Sequence, residues 1–129
     1  MKNKQKHKKE SFLGSKKMSL TLIFVLKVML VFAFLDYLAH SLSTAYTVPS
    51  SYFGSEIIYG TIAGFFVYLL VKNMKIFKKS LAFSAIMALC IQLVYLSIGY
   101  SLNFVLTFLV INFITLFVVS YLGFKIAKM

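Results

Sequence analysis

The stretch MSLTLIFVLKVMLVFAFLDYLA, residues 18–39, decides the fold of this chain. It contains two charged side chains, Lys27 and Asp36, and is otherwise almost continuously apolar. A helix needs about 20 predominantly apolar residues to cross the roughly 30 Å hydrocarbon core of a bilayer. The stretch therefore predicts a transmembrane helix.

Three more apolar blocks follow along the chain. Each is continuous and about twice as long as a strand of a transmembrane barrel, so they also indicate helices. The chain is 60% hydrophobic and 13% charged, whereas a soluble domain carries about a quarter charged residues. We predict an all-α polytopic membrane protein: an antiparallel bundle of four transmembrane helices, forming a single membrane domain over residues 18–129. The predicted helices are 18–41, 52–72, 79–99 and 102–125.

The fourteen basic residues are all lysine, and their positions predict the topology. Seven lie in the range 2–17, four between the second and third blocks, and two after the fourth, while the other two connections have none. By the positive-inside rule this predicts an integral protein of the cell membrane with both termini cytoplasmic. Residues 1–17 are expected to form a disordered, lysine-rich cytoplasmic tail that is attracted to anionic headgroups of the lipid bilayer.

The net charge of +11 does not indicate a nucleic-acid partner. The chain has no arginine for bidentate contacts to bases, and residues 1–10 have no aromatic side chain for stacking. The single cysteine, Cys90, cannot form a disulfide within the chain.

Three ionisable residues mark the connection between the first two blocks. Asp36 and His40 are four residues apart and share a face of the first helix. Glu56 opens the second helix after Pro49 has interrupted the chain. Because one short connection joins these helices, the three side chains are expected to meet near the outer end of the bundle.

The second helix carries a stripe of residues at a spacing of four, which includes Glu56, Gly60 and Gly64. Glycines in a G-x-x-x-G pattern let a neighbouring helix approach closely. We therefore assign Gly60 and Gly64 to helix packing, and we expect Glu56 to point into the bundle with them. The predicted polar cluster or solute site contains Asp36, His40, Glu56, Gln92, Tyr95 and Asn103.

Three functions are compatible with these residues. The first is a non-catalytic helix-packing subunit, as a homo-oligomer or part of a larger membrane complex, with the polar cluster near the outer face. The second is a small proton-coupled transporter or solute-binding protein that uses Glu56 and Asp36. The third is a membrane metalloenzyme in which Asp36, His40 and Glu56 bind a divalent metal. We expect no cofactor apart from that possible metal, and the sequence names no catalytic residue.

Overall fold

The chain is a bundle of four long helices. The computed structural model describes the backbone of residues 2–129 and the side chains of residues 10, 11 and 14–129. The protein is 86% helical, with no strand in the described residues. The elements are α1 (Lys2–Ser41), a 3₁₀ turn (Thr44–Tyr46), α2 (Ser51–Val71), α3 (Ile76–Ile98) and α4 (Leu102–Ile126). This confirms the predicted all-α, four-helix architecture.

The helix limits differ from the expected ones mainly at the start of α1. We expected a disordered tail over residues 1–17, but α1 begins at Lys2, and Met1 lies outside the described residues. The lysine, glutamine and glutamate residues of this segment have high helix propensity, and no proline precedes Pro49. A charged segment can therefore continue the helix beyond its apolar part.

Two connections lie at one end of the bundle, which we call the loop end. The connection from α1 to α2 contains the 3₁₀ turn and Pro49. The connection from α3 to α4 is tight because Gly99 adopts a left-handed conformation with φ of 98° and its amide donates to the Leu96 carbonyl at 3.1 Å. The Ser101 hydroxyl then accepts from the Phe104 amide at 3.3 Å and caps α4. Both connections place consecutive helices side by side and antiparallel.

The opposite end of the bundle, which we call the lysine end, holds the turn between α2 and α3. Lys79 is buried there, with its ammonium group 5.7 Å from the ring centre of Tyr68 and 5.5 Å from that of Phe124. The ammonium group also donates to the carbonyl of Met129. These contacts join the start of α3 to the end of α4.

The outer surface of the bundle is strongly apolar. All four helices are long and apolar enough to cross a membrane, and only 28% to 39% of their most apolar windows is buried within the chain. Leu70, Leu93 and Phe66 are exposed by 75%, 65% and 61%. Since an exposed apolar surface of this extent is not stable in water, the helices are suited to a lipid surrounding.

The glycines of α2 pack against α1 inside this chain. A Cβ atom built on Gly60 would collide with the terminal methyl of Met29. A Cβ atom on Gly64 would lie 2.9 Å from Cγ1 of Val25 and 3.4 Å from Cζ of Phe83. The G-x-x-x-G pair thus allows close approach of α1 and α2, as expected of such a motif.

Candidate functional site

The last turn of α1 places His40 at the centre of the loop end. Its Nδ1 atom lies 2.5 Å from the carbonyl oxygen of Tyr46 in the 3₁₀ turn. Since a carbonyl can only accept, Nδ1 carries the hydrogen and donates it. The Nε2 atom lies 2.8 Å from the hydroxyl of Tyr95. Both ring nitrogens of this buried histidine are therefore hydrogen-bonded to groups other than a carboxylate.

Asp36 lies one turn away from His40 on the same face of α1. Its Oδ2 atom is 3.3 Å from His40 Nε2, which is an ion-pair distance. The contact lacks the direction of a hydrogen bond, and both carboxylate oxygens are buried without a hydrogen-bond partner. The side chain is 1% exposed. Asp36 is thus close to the imidazole of His40, but the hydrogen bonds of that imidazole are made to Tyr46 and Tyr95.

Aromatic rings from the other three helices surround His40. The Phe108 ring stacks on the imidazole with centroids 4.0 Å apart and planes 5° apart. Tyr52 stacks on Tyr95 at 5.2 Å and meets His40 edge-on at 6.3 Å. We call His40, Tyr52, Tyr95 and Phe108, one from each helix, the aromatic layer.

Glu56 lies one turn from Tyr52 along α2, and the two side chains are joined. The Tyr52 hydroxyl donates to Glu56 Oε1 at 3.2 Å, while Oε2 has no hydrogen-bond partner. The side chain is 7% exposed. Glu56 thus has one oriented oxygen and one free oxygen.

An elongated cleft of about 410 Å³ runs between α2 and α3 and reaches Glu56. Its walls are mainly apolar and aromatic. The lining residues are Pro49, Ser51, Tyr52, Ser55, Glu56, Tyr59, Gly60, Ala63, Met87, Cys90, Ile91, Val94, Ile98 and Tyr100. Among the described residues that line it, Glu56 is the only one with a charged side chain. Its volume lies in the range of small-molecule sites, about 300–1,000 Å³.

The cleft opens sideways, on the lipid-facing surface of the bundle. Tyr59, Ile98 and Val94 line its edge and are 71%, 62% and 48% exposed. Along α2 the lining extends from Ser51 to Ala63, which is about 18 Å at the helical rise of 1.5 Å per residue. An amphiphilic molecule dissolved in the bilayer could enter this opening without first crossing water.

The structure buries five of the six predicted site residues at the loop end and excludes the sixth. Gln92 is 3% exposed and lies one turn from Tyr95, whereas Asn103 is exposed. Sequence reasoning missed Tyr52 and Phe108 as site residues, although Tyr52 shares the four-residue stripe of Glu56. The carbonyl of Tyr46 had no sequence signal, because the 3₁₀ turn brings it to His40.

The arrangement gives no geometric support to a metal site made of Asp36, His40 and Glu56. In the part of the chain whose side chains the structure describes, no three His, Cys, Asp or Glu residues are grouped so that they could hold a metal ion. A divalent metal requires its ligands to converge within about 2.0–2.6 Å of one point. The chemistry available at Glu56 is instead that of a buried carboxyl group at an apolar cleft.

Comparisons with protein families, with curated proteins and with solved structures found no match to this chain. The geometry of the site is therefore the basis for any functional conclusion.

Proposed function

We propose that this chain is a membrane protein that binds a cationic amphiphile in the cleft between α2 and α3, with the carboxylate of Glu56 as the counter-ion. The observation that carries the proposal is the free Oε2 atom of Glu56, buried at an apolar cleft. A buried carboxylate without a counter-ion is costly in hydrocarbon, and a bound cation removes that cost.

The lining of the cleft indicates the chemistry of the uncharged part of the ligand. Met87, Ile91 and Val94 supply an apolar wall, and the rings of Tyr52 and Tyr59 can contact a cation through their faces. Because the cleft lies open to the bilayer, the ligand must be soluble in lipid apart from its charged group. An alkyl or aryl ammonium or phosphonium compound has this chemistry. The solute-binding hypothesis from the sequence therefore has more support than the metalloenzyme.

Orientation is part of the proposal. The lysines at one end of the bundle support a cell-membrane protein with cytoplasmic termini and with the loop end on the outer side. The cleft would then open into the outer half of the bilayer. Ligands would be taken from the outer leaflet.

The predicted role as a helix-packing subunit or homo-oligomer stays a prediction. Its motivation was the glycine face of α2, and Gly60 and Gly64 meet α1 and α3 within the chain. That face is therefore occupied without a second copy.

Tetraphenylphosphonium tests the proposal, because its charge is permanent and its surface is aromatic. Binding is measured by equilibrium dialysis of the radiolabelled probe against protein in lipid nanodiscs. Wild-type protein is expected to bind one equivalent. Glu56→Gln is expected to lose at least about tenfold in affinity, since a tenfold loss corresponds to about 1.4 kcal/mol and the attraction between two unit charges in a partly buried site is at least that large.

The matched control is Glu10→Gln, which makes the same substitution at an exposed position in the N-terminal part of α1. It should bind the probe as the wild type does, and circular dichroism should show unchanged helicity in both variants. Equal affinity of Glu56→Gln and wild type would refute the proposal. Competition by tetraphenylmethane, a neutral molecule of the same shape, would also refute a role for the charge.

A further inference from the structure

The buried polar side chains that have unpartnered side-chain atoms are distributed one to each helix. Among the described residues they are Asp36 on α1, Glu56 on α2, Gln92 on α3 and Asn112 on α4. Each of the four is at most 7% exposed. Buried polar groups are almost always hydrogen-bonded, and hydrocarbon offers no alternative partner. The four residues are therefore candidates for a shared binding site.

These four residues lie at one level of the bundle. The aromatic layer, whose members contact one another, fixes that level. Asp36, Glu56 and Asn112 are each four residues from the layer member on their own helix, about 6 Å farther from the loop end, and Gln92 is three residues away, about 4.5 Å. Because consecutive helices are antiparallel, each of the four residues is shifted from the aromatic layer toward the lysine end. We call this set the polar layer.

The polar layer is closed at both sides. The aromatic layer covers it toward the loop end. One turn farther toward the lysine end are Phe32, Ala88 and Leu116, each fully buried at 0% exposure. Glu56 lies beside the lateral cleft. Asp36, Gln92 and Asn112 remain as the polar residues enclosed in the bundle.

Those three side chains offer four unpartnered oxygen atoms. They are Oδ1 and Oδ2 of Asp36, Oε1 of Gln92 and Oδ1 of Asn112; the amide nitrogens of Gln92 and Asn112 are unpartnered as well. Carboxylate and amide oxygens are the ligands of hard cations. Asp36 is the one carboxylate of these three enclosed residues, so a monovalent cation balances its charge.

His40 lies beside Asp36, with its Nε2 atom 3.3 Å from Asp36 Oδ2, but its hydrogen bonds are made to other groups. Its Nδ1 atom donates to Tyr46, and its Nε2 atom is engaged by the Tyr95 hydroxyl at 2.8 Å. We infer that Asp36, Gln92 and Asn112 form an enclosed binding site for a monovalent hard cation of the class of sodium. This inference rests on the unpartnered oxygens of the polar layer and not on the cleft or its proposed ligand.

Thermal unfolding in mild detergent tests the inference without any amphiphilic ligand. Wild-type protein is compared in sodium chloride, potassium chloride and choline chloride at equal ionic strength. Sodium should raise Tm in a saturable manner, by about 5 °C at about ten times its Kd. Choline, a bulky quaternary ammonium that oxygen ligands do not coordinate as they do a small hard cation, should give no such rise. Equal Tm values in sodium and choline across the whole concentration range overturn the inference.

Variants distinguish this site from a general salt effect. Asp36→Asn keeps the shape of the side chain but removes its charge, and it should abolish the sodium-dependent rise. Asn112→Leu removes an amide oxygen and should weaken sodium binding by at least about tenfold. Glu10→Gln should respond as the wild type does. An undiminished sodium response in Asp36→Asn overturns the assignment.

The wild-type salt comparison also remains valid if a variant fails to fold. ²³Na line broadening in the presence of wild-type protein, removed by excess sodium but not by excess choline, gives a second readout of binding. Loss of tetraphenylphosphonium binding in Glu56→Gln with an intact sodium response would separate the two sites. Failure of the cleft proposal is therefore distinguishable from failure of this one.

Discussion

Replacement of Gly64 by alanine tests the contact between α1 and α2 that places Asp36 and Glu56 at the same end of the bundle. The added Cβ atom would lie 2.9 Å from Cγ1 of Val25, a fully buried residue. Valine in a helix has one strongly preferred rotamer, so it cannot turn away easily. Overpacking of this kind costs about 1–3 kcal/mol. We expect Gly64→Ala to lower the free energy of unfolding by that amount.

Two other glycines of α2 provide matched controls. Alanine at Gly60 would collide with the terminal methyl of Met29, the end of a side chain that can move because methionine has three rotatable side-chain bonds. Its cost should be smaller than that of Gly64→Ala. Alanine at Gly54 has nothing within 4 Å, so it should stabilise α2 by about 0.5–1 kcal/mol through helix propensity.

The assay is equilibrium unfolding in mixed micelles of mild detergent and sodium dodecyl sulfate, followed by circular dichroism. The expected order of stability is Gly54→Ala, wild type, Gly60→Ala, Gly64→Ala. The double variant with Val25→Ala should recover part of the loss, giving a favourable coupling of at least about 0.5 kcal/mol. If Gly64→Ala were as stable as Gly54→Ala, the packing of α1 on α2 described above would be refuted.

Three further predictions concern the aromatic layer and the cleft. Tyr95→Phe removes the hydroxyl bound to His40 Nε2 and should destabilise the protein by about 1–3 kcal/mol, whereas Tyr37→Phe, on a side chain that is 53% exposed, should stay within about 0.5 kcal/mol in the same unfolding assay. Phe108→Ala removes the ring stacked on His40 and should cost about 3–5 kcal/mol; a loss below about 1 kcal/mol would contradict that contact. Cys90, the one cysteine, lines the cleft and is exposed, so tetraphenylphosphonium should slow its alkylation by a membrane-permeant maleimide in wild-type protein but not in Glu56→Gln. An alkylation rate that does not change with the probe would place the probe elsewhere.

The helices could be predicted because a transmembrane segment is recognisable from its length and its apolar composition. Hydropathy and the positions of Pro49 and the lysines predicted four helices, and α2 begins and ends within a residue of expectation. The start of α1 could not be found this way, because hydropathy reports where a helix leaves lipid and not where the helix itself ends. Lys2 begins a helix whose first turns are polar.

The site was partly predictable because residues four apart share a helix face. The four-residue spacing predicted that Asp36 and His40 share one helix face and that Glu56 and Gly60 share another. The structure buries both faces. The spacing alone did not predict which face of α4 is turned into the bundle. Asn103 near the start of α4 is exposed, whereas Asn112 is fully buried. The rotation of α4 is set by packing with α3 and α1, which the sequence pattern does not specify.

The cleft had no signal in the sequence because it depends on how α2 and α3 are placed beside each other. Tyr59 and Val94 belong to apolar blocks and look like any lipid-facing residues until the helices are placed beside each other. Only the placement shows that an acid lies at the cleft they border. The proposal of a cationic amphiphile as ligand follows from the position of this acid at the cleft.

The most direct test of that chemistry is a distance measurement between Glu56 and a bound cation in lipid. Glutamate occurs only at positions 10 and 56, so a ¹³C-carboxyl glutamate label in the Glu10→Gln variant reports Glu56 alone. Solid-state NMR then recouples this carbon with the ³¹P nucleus of tetraphenylphosphonium. We predict dephasing of the Glu56 carboxyl signal by the bound probe. Saturating probe with no dephasing of that signal would contradict the account.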